Sequence, residues 1–118
     1  MTVESSIYNA LKGLVGNRVF PDVAPLATVK PFITYIQIGG EAVSFLERAV
    51  PSKQNGSFQI DCYADTRAAT AALALQVESA MVTATTFQSK PVAAPSARYD
   101  SDMLIYSSTQ DFSVWSDR

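Results

Sequence analysis

The sequence predicts an α+β, two-layer domain: a mostly antiparallel four- to five-stranded sheet with two helices packed on one face, in the order α-β-β-β-α-β(-β). Three observations predict it. Apolar residues recur at helical spacing near the N terminus and again after residue 65. Three other runs, at residues 32–38, 58–64 and 104–115, alternate side chains with period two, as strands do. The chain has 118 residues, 47% of them hydrophobic and 10% aromatic, enough for one core-forming domain over residues 1–118.

The first helix is carried by Val3, Ile7, Leu11 and Leu14, joined by Ala10, with Thr2 as N-cap and Glu4 in the first turn. Gly16 and Asn17 suit its C-terminal stop. Residues 18–30 carry Pro21 and Pro25 among small residues and read as an extended loop with a short strand at residues 18–20. In the next strand Phe32, Thr34, Ile36 and Ile38 share one face and Ile33, Tyr35 and Gln37 the other. Large apolar groups on both faces predict a strand covered on both sides. Gly39-Gly40 breaks it, and residues 41–48 read as a second strand pairing back.

Residues 51–55 are polar and read as a mobile loop ending in a tight Asn55-Gly56 turn. Phe58, Ile60 and Cys62 define the buried face of the third strand. Asp65 or Thr66 caps a second, alanine-rich helix reaching about residue 84, whose packing stripe reads as Ala69, Ala72, Leu73, Gln76, Val77, Ala80 and Met81. Residues 85–88 start a fourth strand, and residues 90–98, with Pro91 and Pro95, read as a flexible projection. Phe112 and Val114 mark the inward face of the last strand.

The composition excludes much chemistry. With no histidine, Ser-His-Asp and Cys-His catalysis and His-ligated zinc are unavailable. A single cysteine forms neither an internal disulfide nor a multi-cysteine metal site, and Cys62 reads as a buried core thiol. Asp100-x-Asp102 is the one pair of carboxylates with cation-ligand spacing, and it reads as a solvated turn. No catalytic, cofactor-binding or metal-binding residue is therefore assigned, and the chain is expected not to be an enzyme. Nine basic against eleven acidic residues give a net charge of −2, which argues against specific nucleic-acid binding. Neither a signal peptide nor a membrane-spanning run is expected, so Asn55-Gly56-Ser57 is a turn rather than a glycosylation site. The residues singled out for partner or subunit contacts are cations and a turn residue in two loops: Arg48, Lys53 and Asn55 in one, Lys90 and Arg98 in the other.

Four segments resemble a known family. They are Ile7-Tyr8-Asn9-Ala10-Leu11 followed by Arg18-Val19-Phe20-Pro21-Asp22-Val23-Ala24-Pro25; Lys30-Pro31-Phe32-Ile33-Thr34-Tyr35; Phe58-Gln59-Ile60-Asp61-Cys62-Tyr63-Ala64 into Thr66-Arg67-Ala68; and Asp111-Phe112-Ser113-Val114-Trp115. In this order they resemble the tail-completion, or tail-to-head joining, proteins of long-tailed bacteriophages and prophages. The departure is residues 89–98, a proline- and alanine-containing stretch longer than the family pattern. The resemblance implies a structural part that caps the tail tube and joins the tail to the head connector. It also implies self-association into a ring of six in the virion, with the tail tube protein and the head connector or stopper as partners. Assembly would take place in the host cytoplasm, and DNA would cross the ring without being bound. The alternative is an adaptor or regulatory domain without a phage role.

Overall fold

The structure, a computed structural model, describes residues 2–42 and 52–117. Helix α1 (Val3–Leu11) starts where Thr2 Oγ1 accepts a hydrogen bond from Ser5 N at 3.1 Å, and a single 3-10 turn (Lys12–Leu14) follows it. Gly16 and Asn17 then reverse the chain with positive φ angles of 56° and 68°. Strand β1 (Val19–Pro21) runs parallel to β2 (Phe32–Gly39), which pairs antiparallel with β3 (Lys53–Ala64). Helix α2 (Arg67–Thr83) is followed by β4 (Gln88–Pro91), β5 (Ser96–Asp100) and β6 (Ile105–Asp117). Among the described residues the sheet has six strands in the order β1-β2-β3-β6-β4, with β5 also paired to β6, so the expected α+β architecture gains edge strands.

Alternation decides which sheet face is buried. Ile33 and Tyr35 lie in register with Cys62 and Ile60, while Phe58 opposes Phe112 and Gly56 opposes Val114. These side chains form one core with Ile7, Leu11 and Val15 from the N-terminal segment and Leu73, Val77 and Met81 from α2. Both helices therefore cover the same face. The opposite face carries Phe32, Thr34, Gln59, Asp61, Tyr63, Thr109, Asp111 and Ser113 and is only partly covered.

Several local readings change. Residues 22–31 cover the start of β2, so Phe32 and Thr34 are buried, but Ile36 and Ile38 further along are 40% and 49% exposed. Strand β2 is thus covered on both sides over only half its length. The predicted loop and turn around residues 53–57 are the first half of β3, with Asn55 opposite Trp115 and Gly56 inside the strand. Pairing with the long β6 outweighs the local turn preference of Asn-Gly. Gly56 is instead explained by crowding, since an added Cβ would lie 2.7 Å from Phe58 Cε2. Of the second strand expected at residues 41–48, positions 43–48 lie outside the described residues, and Glu41 and Ala42 belong to no strand.

The α2 stripe is rotated relative to expectation. Thr70, Leu73, Ala74, Val77 and Met81 are buried, while Ala69, Ala72 and Gln76 are exposed. The helix is apolar nearly all round, so spacing alone leaves its inner face underdetermined. Thr66 rather than Asp65 caps it, with Oγ1 accepting from Ala69 N at 3.1 Å. Asp65 instead pairs with Lys30 at 3.4 Å. Replacing Thr66 with Ala is expected to lower the unfolding free energy by about 1 kcal/mol, read as a shifted urea midpoint at unchanged slope.

Candidate assembly surfaces

The partly covered sheet face is a balanced polar surface. Asp61 accepts from Thr109 Oγ1 at 2.5 Å and from Gln59 Nε2 at 3.2 Å, and Asp111 lies diagonally beside it on β6. Arg98 is in register with Ser107 beyond one end of this acidic centre, and Lys90 with Ser113 beyond the other. Six residue steps along β6 separate the two rows, about 20 Å at the rise of a strand. Tyr63 stacks on Phe32 at 4.6 Å. Burial raises the Tyr63 phenol above its ordinary pKa, and the Asp61 carboxylate adds to the shift.

An apolar cleft of about 370 Å³ lies on the same face, between residues 22–28 and the turn joining β5 to β6. Val23, Leu26, Phe32, Tyr63 and Met103 line it, and Lys30 Nζ ties its base by donating to Leu104 O at 3.2 Å. Leu26 is 93% exposed, and Val23, Val29, Met103 and Leu104 are also largely uncovered. Grouped exposed apolar residues are a feature by which contact surfaces are recognised.

A second recess, about 390 Å³, lies on the helix-covered face between α2 and the β5–β6 hairpin. Ala71, Ala74 and Leu75 form one wall and Pro95, Ala97 and Tyr106 the other. Leu75 is 67% exposed. The Arg67 guanidinium closes one end, 6.0 Å from the Tyr106 ring centroid. Strand β5 pairs with β6 alone among the described residues, so its outer edge is free beside this recess.

The residues singled out from the sequence do not form two loop clusters. Arg48 lies outside the described residues. Lys53 and Asn55 are in β3, where Lys53 forms an ion pair with Asp117. Asn55 donates to Ser113 Oγ at 3.0 Å, and its Oδ1 accepts from Glu41 N at 2.8 Å. Its role is to pin the segment after β2 onto the sheet. Lys90 and Arg98 stand on the edge strands β4 and β5, in register with Ser113 and Ser107 of the polar face, and Arg98 also lines the recess beside α2. The predicted projection between them shrinks to residues 92–95 and is held down: Val92 N donates to Asp111 O at 2.9 Å, and Gln110 Nε2 donates to Ala93 O at 2.8 Å. Proline is tolerated here because edge strands have an unpaired side. Of the residues singled out from the sequence, only Arg98 reaches the recess beside α2. The sequence signal of this recess is that, after Arg67, α2 carries no charge except Glu78, which accepts from Gln110 Nε2 at 2.8 Å.

Asp100 and Cys62 both serve the structure. Asp100 Oδ1 accepts from Asp102 N at 3.0 Å and Met103 N at 3.2 Å, closing the β5–β6 turn. Among the described residues no group of three or more Cys, Asp or Glu side chains is placed to hold a metal ion, and no helix is long and apolar enough to cross a membrane. Cys62 is buried, and burial, assisted by the Asp61 carboxylate, pushes its thiol up to about 12. Since the thiolate is the nucleophile, native protein at pH 8 is expected to resist maleimide until it is unfolded in urea, as followed by mass shift. The raised pKa also has a stability consequence with a defined sign. Above pH 9 an unfolded thiol loses its proton while the folded one keeps it. The Cys62 contribution is therefore complete below pH 9 and is lost between pH 9 and about 12. Cys62→Ala should show a shallower decline of urea stability over that range.

The described residues thus present two apolar recesses, a free sheet edge and a polar sheet face. The tail completion protein gp17 family model matches residues 7–117, and the chain belongs to that family of structural phage tail proteins. The assignment sets aside the alternative of an adaptor domain without a phage role. In solved structures, a chain from the virion of the native gene transfer agent (GTA) particle superposes with a TM-score of 0.64. It is 18% identical, and the match covers 98% of this chain and 95% of that one, so the fold is shared over its whole length. No curated protein sequence gives a significant match.

Proposed function

We propose that the protein is a ring subunit that caps the tail tube and joins it to the head connector, at the head–tail interface of the virion. The observation that carries this reading is the family match over residues 7–117. The whole-length fold similarity to a chain of the GTA virion supports it. So do the two apolar recesses on opposite sheet faces, because a cyclic ring joins two different patches of each subunit head to tail. Six copies at −2 each give a ring of −12, and the polar sheet face sets Lys90 and Arg98 on either side of an acidic centre rather than collecting cations. Such a ring lets DNA pass without the counterion-releasing grip of a basic lining.

The full-length chain mixed with the tail tube protein of the same particle is expected to give six-fold rings at one end of each tube by negative-stain microscopy. Tubes capped in this way should stop elongating and bind the head connector. A chain that stays monomeric or dimeric by native mass spectrometry, alone and with tubes, would refute the ring. Rings that leave tubes growing would refute the capping role.

A further inference from the structure

We propose that the apolar turn at residues 23–29 of one copy seats in the recess between α2 and β5 of the next copy, with Asp22 facing Arg67. The inference rests on the ring reading and identifies its subunit contact.

The turn is built to present a side chain. Thr28 N and Thr28 Oγ1 both bond Pro25 O, at 3.2 and 2.5 Å, which closes a four-residue turn around Leu26 and Ala27. Ala27 has φ of 65°, a conformation L-residues rarely adopt, and it holds Leu26 at the apex. Seven uncharged residues separate Asp22 from Lys30, so the protrusion is apolar with a carboxylate at one shoulder.

The recess has matching character. Ala71, Ala74, Leu75, Pro95 and Ala97 supply an apolar lining, Arg67 and Arg98 are the two cations at the recess, and the recess is concave where the turn is convex. A helix that is apolar on its outer side as well as its inner side is one that becomes covered. The charges complement each other too. Among the described residues, Asp22 and Arg67 each form no ion pair, and Arg67 stands at the recess end. Position decides the occupant. The turn lies on the polar sheet face, against Phe32 and Tyr63, while the recess lies on the helix-covered face, so no copy can fill its own recess. A contact between opposite faces is head to tail and propagates around a ring, unlike a self-complementary dimer patch.

The test is crosslinking of full-length protein assembled with tail tubes, using the variants L26C, L75C and L26C/L75C with a short bismaleimide. Cys62 is buried and does not compete. The double variant should give a ladder up to the full ring, and each single variant no more than background. Asp22→Arg and Arg67→Asp should each lower the ring fraction about tenfold at limiting concentration, and their combination should restore it. Rings visible by microscopy without a ladder would overturn this contact while leaving the ring intact. Charge reversals that fail to restore each other would overturn the Asp22–Arg67 pairing. Absence of rings with wild-type protein would overturn the ring reading itself.

Discussion

Phe112→Ala is expected to lower the unfolding free energy by about 3–5 kcal/mol. Phe112 is fully buried at the middle of β6, the strand that pairs with β3 along its whole length and with both edge strands on its other side. Its register partner is Phe58, 1% exposed. Truncation would leave a cavity between two sheet strands and the helices above them, where a hydrogen-bonded ladder limits collapse. Domains of this size have about 5–15 kcal/mol in total, so the loss is a large share of what holds the chain folded. Urea unfolding followed by far-UV circular dichroism measures it. Leu26→Ala is the control: at 93% exposure it should change stability by no more than about 0.5 kcal/mol. Equal losses in the two variants would mean that the core does not centre on β6.

The parts of the fold legible in the sequence are those where a period of two or of 3.6 met a real difference between inside and outside. The alternation of Phe58, Ile60 and Cys62 with Gln59, Asp61 and Tyr63 matches the buried and polar faces of β3. Thr2 and the Gly16-Asn17 pair likewise bound the first helical segment where local chemistry says they should. What stayed hidden depends on long-range pairing. Lys53, Gln54 and Asn55 look like loop residues because nothing in their own sequence reveals β6 lying 58–64 positions later. The same holds for Lys90 and Arg98, whose flanking prolines suggest a projection until β6 provides a partner.

Lys53, Lys90 and Arg98 are surface residues of strands rather than of loops. The apolar recess beside α2 escaped because alanine-rich helices are ordinarily read as packing faces. The informative feature was the absence of charge on the outer side of α2, around the exposed Leu75. A residue-type search for charges passes over such a surface. Only the folded chain shows that Leu75 remains uncovered.

The glycine pair after β2 offers the other large effect, because one of its members is fixed by space and both by backbone conformation. Gly39 and Gly40 have φ of 145° and 144°, a region that side chains rarely adopt. An added Cβ at Gly39 would meet open space. At Gly40 it would lie 2.5 Å from Asn55 O and 2.9 Å from Gly56 Cα, both backbone atoms of β3. That strand is clamped between β2 and β6, so it cannot yield as a flexible side chain would. Gly40→Ala must therefore lift the chain from the sheet and lose the bond from Glu41 N to Asn55 Oδ1. The dihedral strain of about 1–3 kcal/mol and the lost hydrogen bond of about 0.5–1.5 kcal/mol together predict a loss of about 2–4 kcal/mol. Gly39→Ala carries the dihedral strain alone and should cost less. Chemical denaturation ranks the two, and amide exchange at Glu41 reports the detachment directly. It should accelerate strongly in Gly40→Ala and little in Gly39→Ala. Equal losses and equal exchange would show that backbone conformation alone, and not the close approach to β3, requires glycine at position 40.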